Sequence, residues 1–113
     1  MHEYSLVQSL MERIQQEAAA RRALAVHRVR LKIGELSGVE AELLGSAFEI
    51  VREGTICATA ALDIERVPAR WRCSQCDAPI GAGEVLRCGA CGAPARLASG
   101  DDILLDQLEL EVP

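Results

Sequence analysis

Aromatic and histidine side chains are nearly missing from this chain. Of its 113 residues only Tyr4, Phe48 and Trp71 are aromatic, and only His2 and His27 are histidine. Hydrophobic residues still make up 50% of the chain, so any core must be aliphatic and alanine-rich. No apolar run approaches the ~20 residues of a bilayer-spanning helix. The start has neither the basic n-region nor the apolar h-region of a secretory signal. Long polar runs are missing too, which argues against disorder. These absences predict a soluble, cytoplasmic protein with no membrane role. Neither a glycine-rich phosphate loop nor a Ser/His/acid set is present, so no enzyme activity is expected.

Charge is unevenly spread over a net −5. Residues 1–67 balance at −2, residues 68–98 at +2 and residues 99–113 at −5. An acidic chain with one weakly basic patch is a poor nucleic-acid binder, because phosphate neutralisation needs clustered Lys and Arg. Five cysteines, an odd number, disfavour a disulfide framework in a reducing compartment and favour metal ligation.

Periodicity organises the rest. Ser5 to about Arg22 reads as a helix, with Leu6, Leu10 and Ile14 on an apolar face beside Val7, Met11 and Ala18. Ser5 and Gln8 suggest a capping box at its start. Val29, Leu31 and Ile33 alternate with Arg28, Arg30 and Lys32, the pattern of a half-buried strand ended by Gly34. A second helix follows, with Ser37 and Glu40 as a second capping box and Gly54 suited to a left-handed cap. Its apolar row is Val39, Leu43, Ala47 and Val51, flanked by Leu44 and Phe48. Strands are expected at about 58–67, closed by Pro68, and at about 103–112. The prediction is an α+β, two-layer sandwich of two helices on a three-stranded sheet. One domain spans residues 1–68 plus 99–113, and a four-cysteine zinc-ribbon module, residues 69–98, is inserted into it.

That module carries "CSQC" at 73–76 and "CGAC" at 88–91, eleven residues apart. Each C-x-x-C pair forms a knuckle aiming two sulfurs at one ion, and two knuckles complete the tetrahedron that Zn²⁺ accepts. Cys73, Cys76, Cys88 and Cys91 are therefore the candidate zinc ligands. Tetrahedral sulfur also suits iron, whereas thioredoxin-like redox chemistry needs a single C-x-x-C at a helix start. Gly89 and Gly92 give the second knuckle room to turn. Arg70, Arg72, Arg87 and Arg96 flank the pairs and offset the −2 of a zinc tetrathiolate. A closed site of this kind folds its surroundings and does not catalyse.

The other candidate site is the first three residues, "MHE". The amine of Met1, the amide of His2 and the His2 Nδ1 close a five- and a six-membered chelate ring. A fourth donor can come from the Glu3 amide, its carboxylate or a residue elsewhere. Amine and deprotonated amide nitrogens suit square-planar Ni²⁺ or Cu²⁺ better than tetrahedral Zn²⁺, and such binding weakens as pH falls. Met1 is expected to persist, because His2 is bulky. A frayed terminus with a chance histidine is the plainer reading of position alone.

"MHEYSL", "VRLKIGELSGV", the order of helices and strands and the inserted cysteine pairs together resemble the hydrogenase-maturation nickel metallochaperone family (HypA/HybF) over essentially the whole chain. The resemblance implies Ni²⁺ as transient cargo at Met1, His2 and Glu3, and structural Zn²⁺ at the four cysteines. It implies work with a partner GTPase of the HypB type, loading nickel into the large subunit of NiFe-hydrogenase; some members also serve urease. This chain departs in its slightly short inter-knuckle loop and in having no histidine beside the cysteines. Glu40 stands where the family often has an acid near nickel, although a capping role accounts for it equally. The alternative is a zinc-ribbon adaptor that binds only protein, with "MHE" an accident.

Three other positions have plainer roles. His27 reads as a hydrogen-bonded histidine at a strand end, on the Val29 face. Cys57 is expected to be a small core residue. The acidic stretch from Asp101 to Glu111 reads as a solvated strand face.

Overall fold

The computed structural model describes residues 2–81 and 85–113, with every side chain among them except that of His2. The elements are α1 (His2–Ala20), β1 (Ala25–Gly34), α2 (Ala41–Val51), β2 (Ala61–Val67), β3 (Arg70–Cys73), β4 (Pro79–Ile80), β5 (Ala95–Ser99) and β6 (Ile103–Glu111). One three-stranded sheet has the order β2-β1-β6, and a second has the order β4-β3-β5. The fold is α+β. Two compact units divide it: Met1–Lys32, Val39–Glu65 and Leu104–Pro113 form the first, Ile33–Gly38 and Arg66–Ile103 the second.

In the first unit, α1 begins at His2, so Ser5 lies inside the helix and forms no cap. Its buried positions are Glu3, Val7, Met11, Ile14 and Ala18, while Leu6 and Leu10 sit on the flank. The buried stripe starts before Ser5, and that packing carries the helix through it. At the other end Ala23 N–H bonds Ala18 O and Arg22 N–H bonds Ala19 O, a Schellman closure. Arg22 takes the left-handed conformation there, φ 54°.

The second capping box also does not form. α2 starts after Glu40, and no side chain caps it through Glu40 itself. Ser37 is instead held in a turn, its N–H on Gly34 O, and Gly38 follows with φ 79°. Leu44, Ala47 and Phe48 are the buried face of α2. Leu43, expected in the core row, is 45% exposed. The helix ends at Arg52, and Gly54 takes φ 73° beyond it.

Strand pairing follows from the hydrogen bonds. Arg28 meets Asp63 and Arg30 meets Glu65, so β2 runs parallel to β1, and α2 is the crossover that a parallel pair requires. Leu24 N–H reaches Glu111 O and Gly34 N–H reaches Asp102 O, so β6 runs antiparallel to β1. Val26, Val29, Leu31 and Ile33 are buried, but His27 and Arg28 are both exposed. The alternation slips there, which places His27 outward and not on the Val29 face. A matching slip exposes both Asp106 and Gln107 in β6.

In the second unit, three backbone segments cross at two glycines. A Cβ on Gly34 would lie 2.3 Å from the carbonyl carbon and oxygen of Gly100. A Cβ on Gly100, whose φ is +100°, would lie 2.6 Å from Ala69 Cα. Hydrogen bonds stitch the crossing: Leu36 N–H to Gly100 O, Glu35 N–H to Val67 O, and Ala69 N–H to the Glu35 carboxylate at 2.7, 2.8 and 2.8 Å. Within β3–β5, Trp71 lies between Ile80 and Leu97.

Gly34→Ala drives a methyl into backbone that cannot yield, so it is expected to cost about 3 kcal/mol, the upper range for overpacking. Urea denaturation at equal zinc content measures it. A loss below about 1 kcal/mol would show that the crossing relaxes easily.

Candidate metal centres

The four C-x-x-C cysteines sit in two turns that are copies of one another. Cys73 N–H bonds Ala78 O and Asp77 N–H bonds Cys73 O; fifteen residues on, Cys88 N–H bonds Ala93 O and Gly92 N–H bonds Cys88 O. Arg72 pairs with Pro79 in the β3–β4 ladder, and Arg87 pairs with Pro94 in an isolated bridge. The sequence carries the same repeat, "RCSQCDAP" and "RCGACGAP". Reading only the cysteines misses it, yet the shared Arg, Ala and Pro are what close each turn. Asp77 and Gly92 occupy equivalent positions, with φ 61° and 75°.

The turns bring all four sulfurs within 4.8 Å of one another. Cys73 to Cys91 is 3.3 Å, Cys76 to Cys88 3.6 Å and Cys76 to Cys91 3.9 Å, and none is in a disulfide. A tetrahedron with Zn–S bonds of ~2.3 Å has edges of about 3.8 Å. The sulfur separations bracket that edge, so the donor set fits one Zn²⁺.

Electrostatics point the same way. The Cys76 and Gln75 N–H groups lie 3.4 Å from the Cys73 sulfur and pull its pKa down to about 6. The Cys91 and Ala90 N–H groups lower Cys88 in the same way. Cys91 accepts the Ala93 N–H, yet the Cys73 sulfur and burial push it up to about 11. Cys76 accepts the Ala78 N–H and is nonetheless raised, first by the Cys73 sulfur and then by that of Cys88. The thiolate is thus favoured at Cys73 and Cys88 and disfavoured at Cys76 and Cys91, because negative charges at these distances repel one another unless a cation sits among them.

The flanking arginines act on the turns. Arg72 Nε donates to Asp77 Oδ1 at 3.1 Å, and Arg96 pairs with the same oxygen. Together they hold the Asp77 carboxyl below its ordinary range, the Arg72 hydrogen bond contributing most. At the equivalent place Arg87 donates to Gly92 O at 3.0 Å.

The other predicted site is only partly placed. Met1 and the His2 side chain lie outside the described residues. Glu3, 9% exposed, is the buried charged residue of the described chain, and its Oε2 accepts the Glu40 backbone N–H at 3.4 Å. In a capping box a glutamate on the helix itself reaches back to the N-cap N–H. Here a glutamate from α1 does that for α2. Glu3 and Glu40 thus meet through the Glu40 backbone.

Away from both sites, Cys57 is fully buried, and burial pushes its thiol pKa up, the signature of an inert core cysteine. His27 hydrogen-bonds Glu111 at 2.9 Å across the strand end.

Comparison with known proteins places the whole chain. Residues 1–110 match the family model described as "Hydrogenase/urease nickel incorporation, metallochaperone, hypA". The hydrogenase maturation factor HypA of Wolinella succinogenes is 40% identical, covering 98% of this chain and 96% of that protein. That of Shewanella baltica is also 40% identical, covering 98% and 97%. A solution structure of the nickel metallochaperone HypA from Helicobacter pylori superposes with a TM-score of 0.75 at 30% identity, covering 98% of each chain. Another HypA solution structure gives 0.82 at 32% identity, covering 100% of this chain and 98% of that one.

Two outcomes follow from this geometry. Cys73→Ala is expected to lose bound zinc and unfold residues 69–98 while most helical far-UV signal persists; a wholly unfolded spectrum would mean that the units do not fold separately. Glu3→Ala is expected to lower the unfolding free energy by about 1 kcal/mol, the worth of one hydrogen bond. Glu3→Gln keeps the acceptor oxygen and should lose less than half of that; equal losses would refute the capping role.

Proposed function

The chain belongs to the HypA family of hydrogenase and urease nickel-incorporation metallochaperones, and from that premise we propose how its residues divide the work. It is a nickel metallochaperone of hydrogenase maturation, a carrier and not a catalyst. The match over residues 1–110 carries this reading. Residues 1–68 plus 99–113 form the nickel-handling domain, and residues 69–98 form the zinc module.

Ni²⁺ is cargo at the amino terminus, held by the Met1 amine, the His2 amide and imidazole, and Glu3. Helix geometry supports the amide donors. α1 starts at His2, and the first N–H groups of a helix have no intrahelical acceptor. Deprotonating them breaks no hydrogen bond of the helix. A bare dication is disfavoured at the positive end of a helix; two amidates cancel its charge. Because one oxygen of the Glu3 carboxylate accepts the Glu40 N–H, Glu3 contributes its amide nitrogen as the fourth donor. Release then proceeds one nitrogen at a time as amides are reprotonated.

Zn²⁺ is the resident ion, held by Cys73, Cys76, Cys88 and Cys91, and its part is structural. With no phosphate loop in the chain, the energy for directional transfer comes from a partner GTPase of the HypB type. The recipient is the large subunit of NiFe-hydrogenase, with urease a second client in the same chemistry. The cytoplasm is where these partners are assembled. No helix among the described residues is long and apolar enough to cross a membrane.

Calorimetric titration of Ni²⁺ into the untagged protein is expected to give one site that falls at least tenfold in affinity in His2→Ala. A tag fused before Met1 should weaken it too, since the amine becomes an amide. X-ray absorption of the one-nickel protein should report planar nitrogen donors. Undiminished binding in both altered proteins, or sulfur in the nickel shell, would refute the terminal site and favour a zinc-ribbon adaptor.

A further inference from the structure

Charges on the open face of the first sheet run in stripes. β2 presents Asp63 and Glu65, β1 presents Arg28, Arg30 and Lys32, and β6 presents Asp106 and Glu109. In sheet order the stripes are acidic, basic, acidic. The basic strand is matched on both sides. Arg28 lies 2.6 Å from Asp63 and 3.6 Å from Glu109, and Arg30 lies 3.7 Å from Glu65 and 3.9 Å from Asp106. β6 is matched on one side only, because it is the outermost strand of its sheet among the described residues. Glu111 extends its acidic stripe.

Along β6, Leu105, Leu108 and Leu110 line a groove of about 300 Å³ together with Asp106 and Gln107 of the strand and Arg13, Glu17 and Arg21 of α1, so its lining mixes leucines with charged side chains. Leu108 and Leu110 are alternate positions of the strand, so one face of it carries the apolar side chains. A nine-residue strand at the outside of its sheet, with leucines on one face and acids matched only from the β1 side on the other, has the parts of a strand-addition site.

We infer that the outer edge of β6 receives an extended segment of a partner protein as a fourth strand, with Lys or Arg facing the acidic stripe and apolar side chains over the groove. Charge complementarity selects this occupant: a basic strand continues the alternation outward. A second copy of the chain is selected against, because β6–β6 pairing lays one acidic stripe (Asp106, Glu109 and Glu111) beside another, and like charges on neighbouring strands are destabilising. The same acids thus protect an edge that would otherwise invite self-association.

Three kinds of peptide test this on the full chain. One is an eight-residue peptide alternating Lys and Val, the second has Glu for Lys, and the third is the Lys peptide N-methylated on its odd or its even residues. By fluorescence anisotropy at low salt, the Lys peptide should bind at least tenfold tighter than the Glu peptide. One of the two N-methylated forms should lose at least tenfold, since only one set of N–H groups can face β6. Amide exchange should slow along residues 104–111. The double variant Glu109→Lys, Glu111→Lys should reverse the charge preference, with α1 helicity unchanged by far-UV circular dichroism. Equal binding of Lys and Glu peptides would overturn the inference. So would indifference to both N-methylations, protection elsewhere, or no binding. A β6-mediated dimer in sedimentation would overturn it as well.

Discussion

Four sulfurs held within 4.8 Å cannot all lose their protons until a cation sits among them. The second unit depends on that constraint. Its strands are short, β4 having only Pro79 and Ile80, and its apolar centre is little more than Trp71 against Ile80 and Leu97. A core of that size does not order some thirty residues by itself. The turns that build the site are also the turns that start and end the ladder, since Cys73 belongs to β3 and pairs with Ala95 of β5. Ligation of a cation by the four sulfurs would therefore be coupled to folding of this unit. The backbone N–H groups aimed at Cys73 and Cys88 lower both thiol pKa values, which favours the thiolates that a cation would hold.

The first unit is held together differently. Its core is aliphatic, from Val7, Ile14, Val26, Leu31 and Leu44, and needs no ion. Its buried charge, Glu3, is tolerated because it accepts the Glu40 N–H that the α2 start would otherwise leave without a partner. That bond lies one residue from His2, so the proposed cargo site is built on a helix terminus anchored to a neighbouring helix.

Much of this was legible in the chain. The two C-x-x-C pairs, the alternation of Val29, Leu31 and Ile33, and the helical spacing of Met11, Ile14 and Ala18 each follow from strong local chemistry or strict periodicity. Both capping boxes failed. Ser5 is overrun by a helix whose buried stripe begins at Glu3, and Ser37 is held by a turn on Gly34. At Ser5 a weak local preference lost to packing, and at Ser37 it lost to a competing backbone turn. The eight-residue repeat around the cysteines was readable but needed attention to Arg, Ala and Pro as well as to sulfur. The slips at His27–Arg28 and Asp106–Gln107 were not readable, because period two looks the same on either side of a misplaced residue.

Taken alone, the sequence determined the local chemistry: four soft thiolate donors at knuckle spacing and an aliphatic α+β core. These depend on residue type and short separations, which the chain states outright. Tertiary structure decided everything carried by contacts distant in sequence. It brought Glu3 to Glu40 and passed Gly34 against Gly100 and Gly100 against Ala69. It also left β6 outermost in its sheet among the described residues, with β1 along one flank. Such contacts join residues tens of positions apart, and their energies arise only once the whole backbone has closed around them.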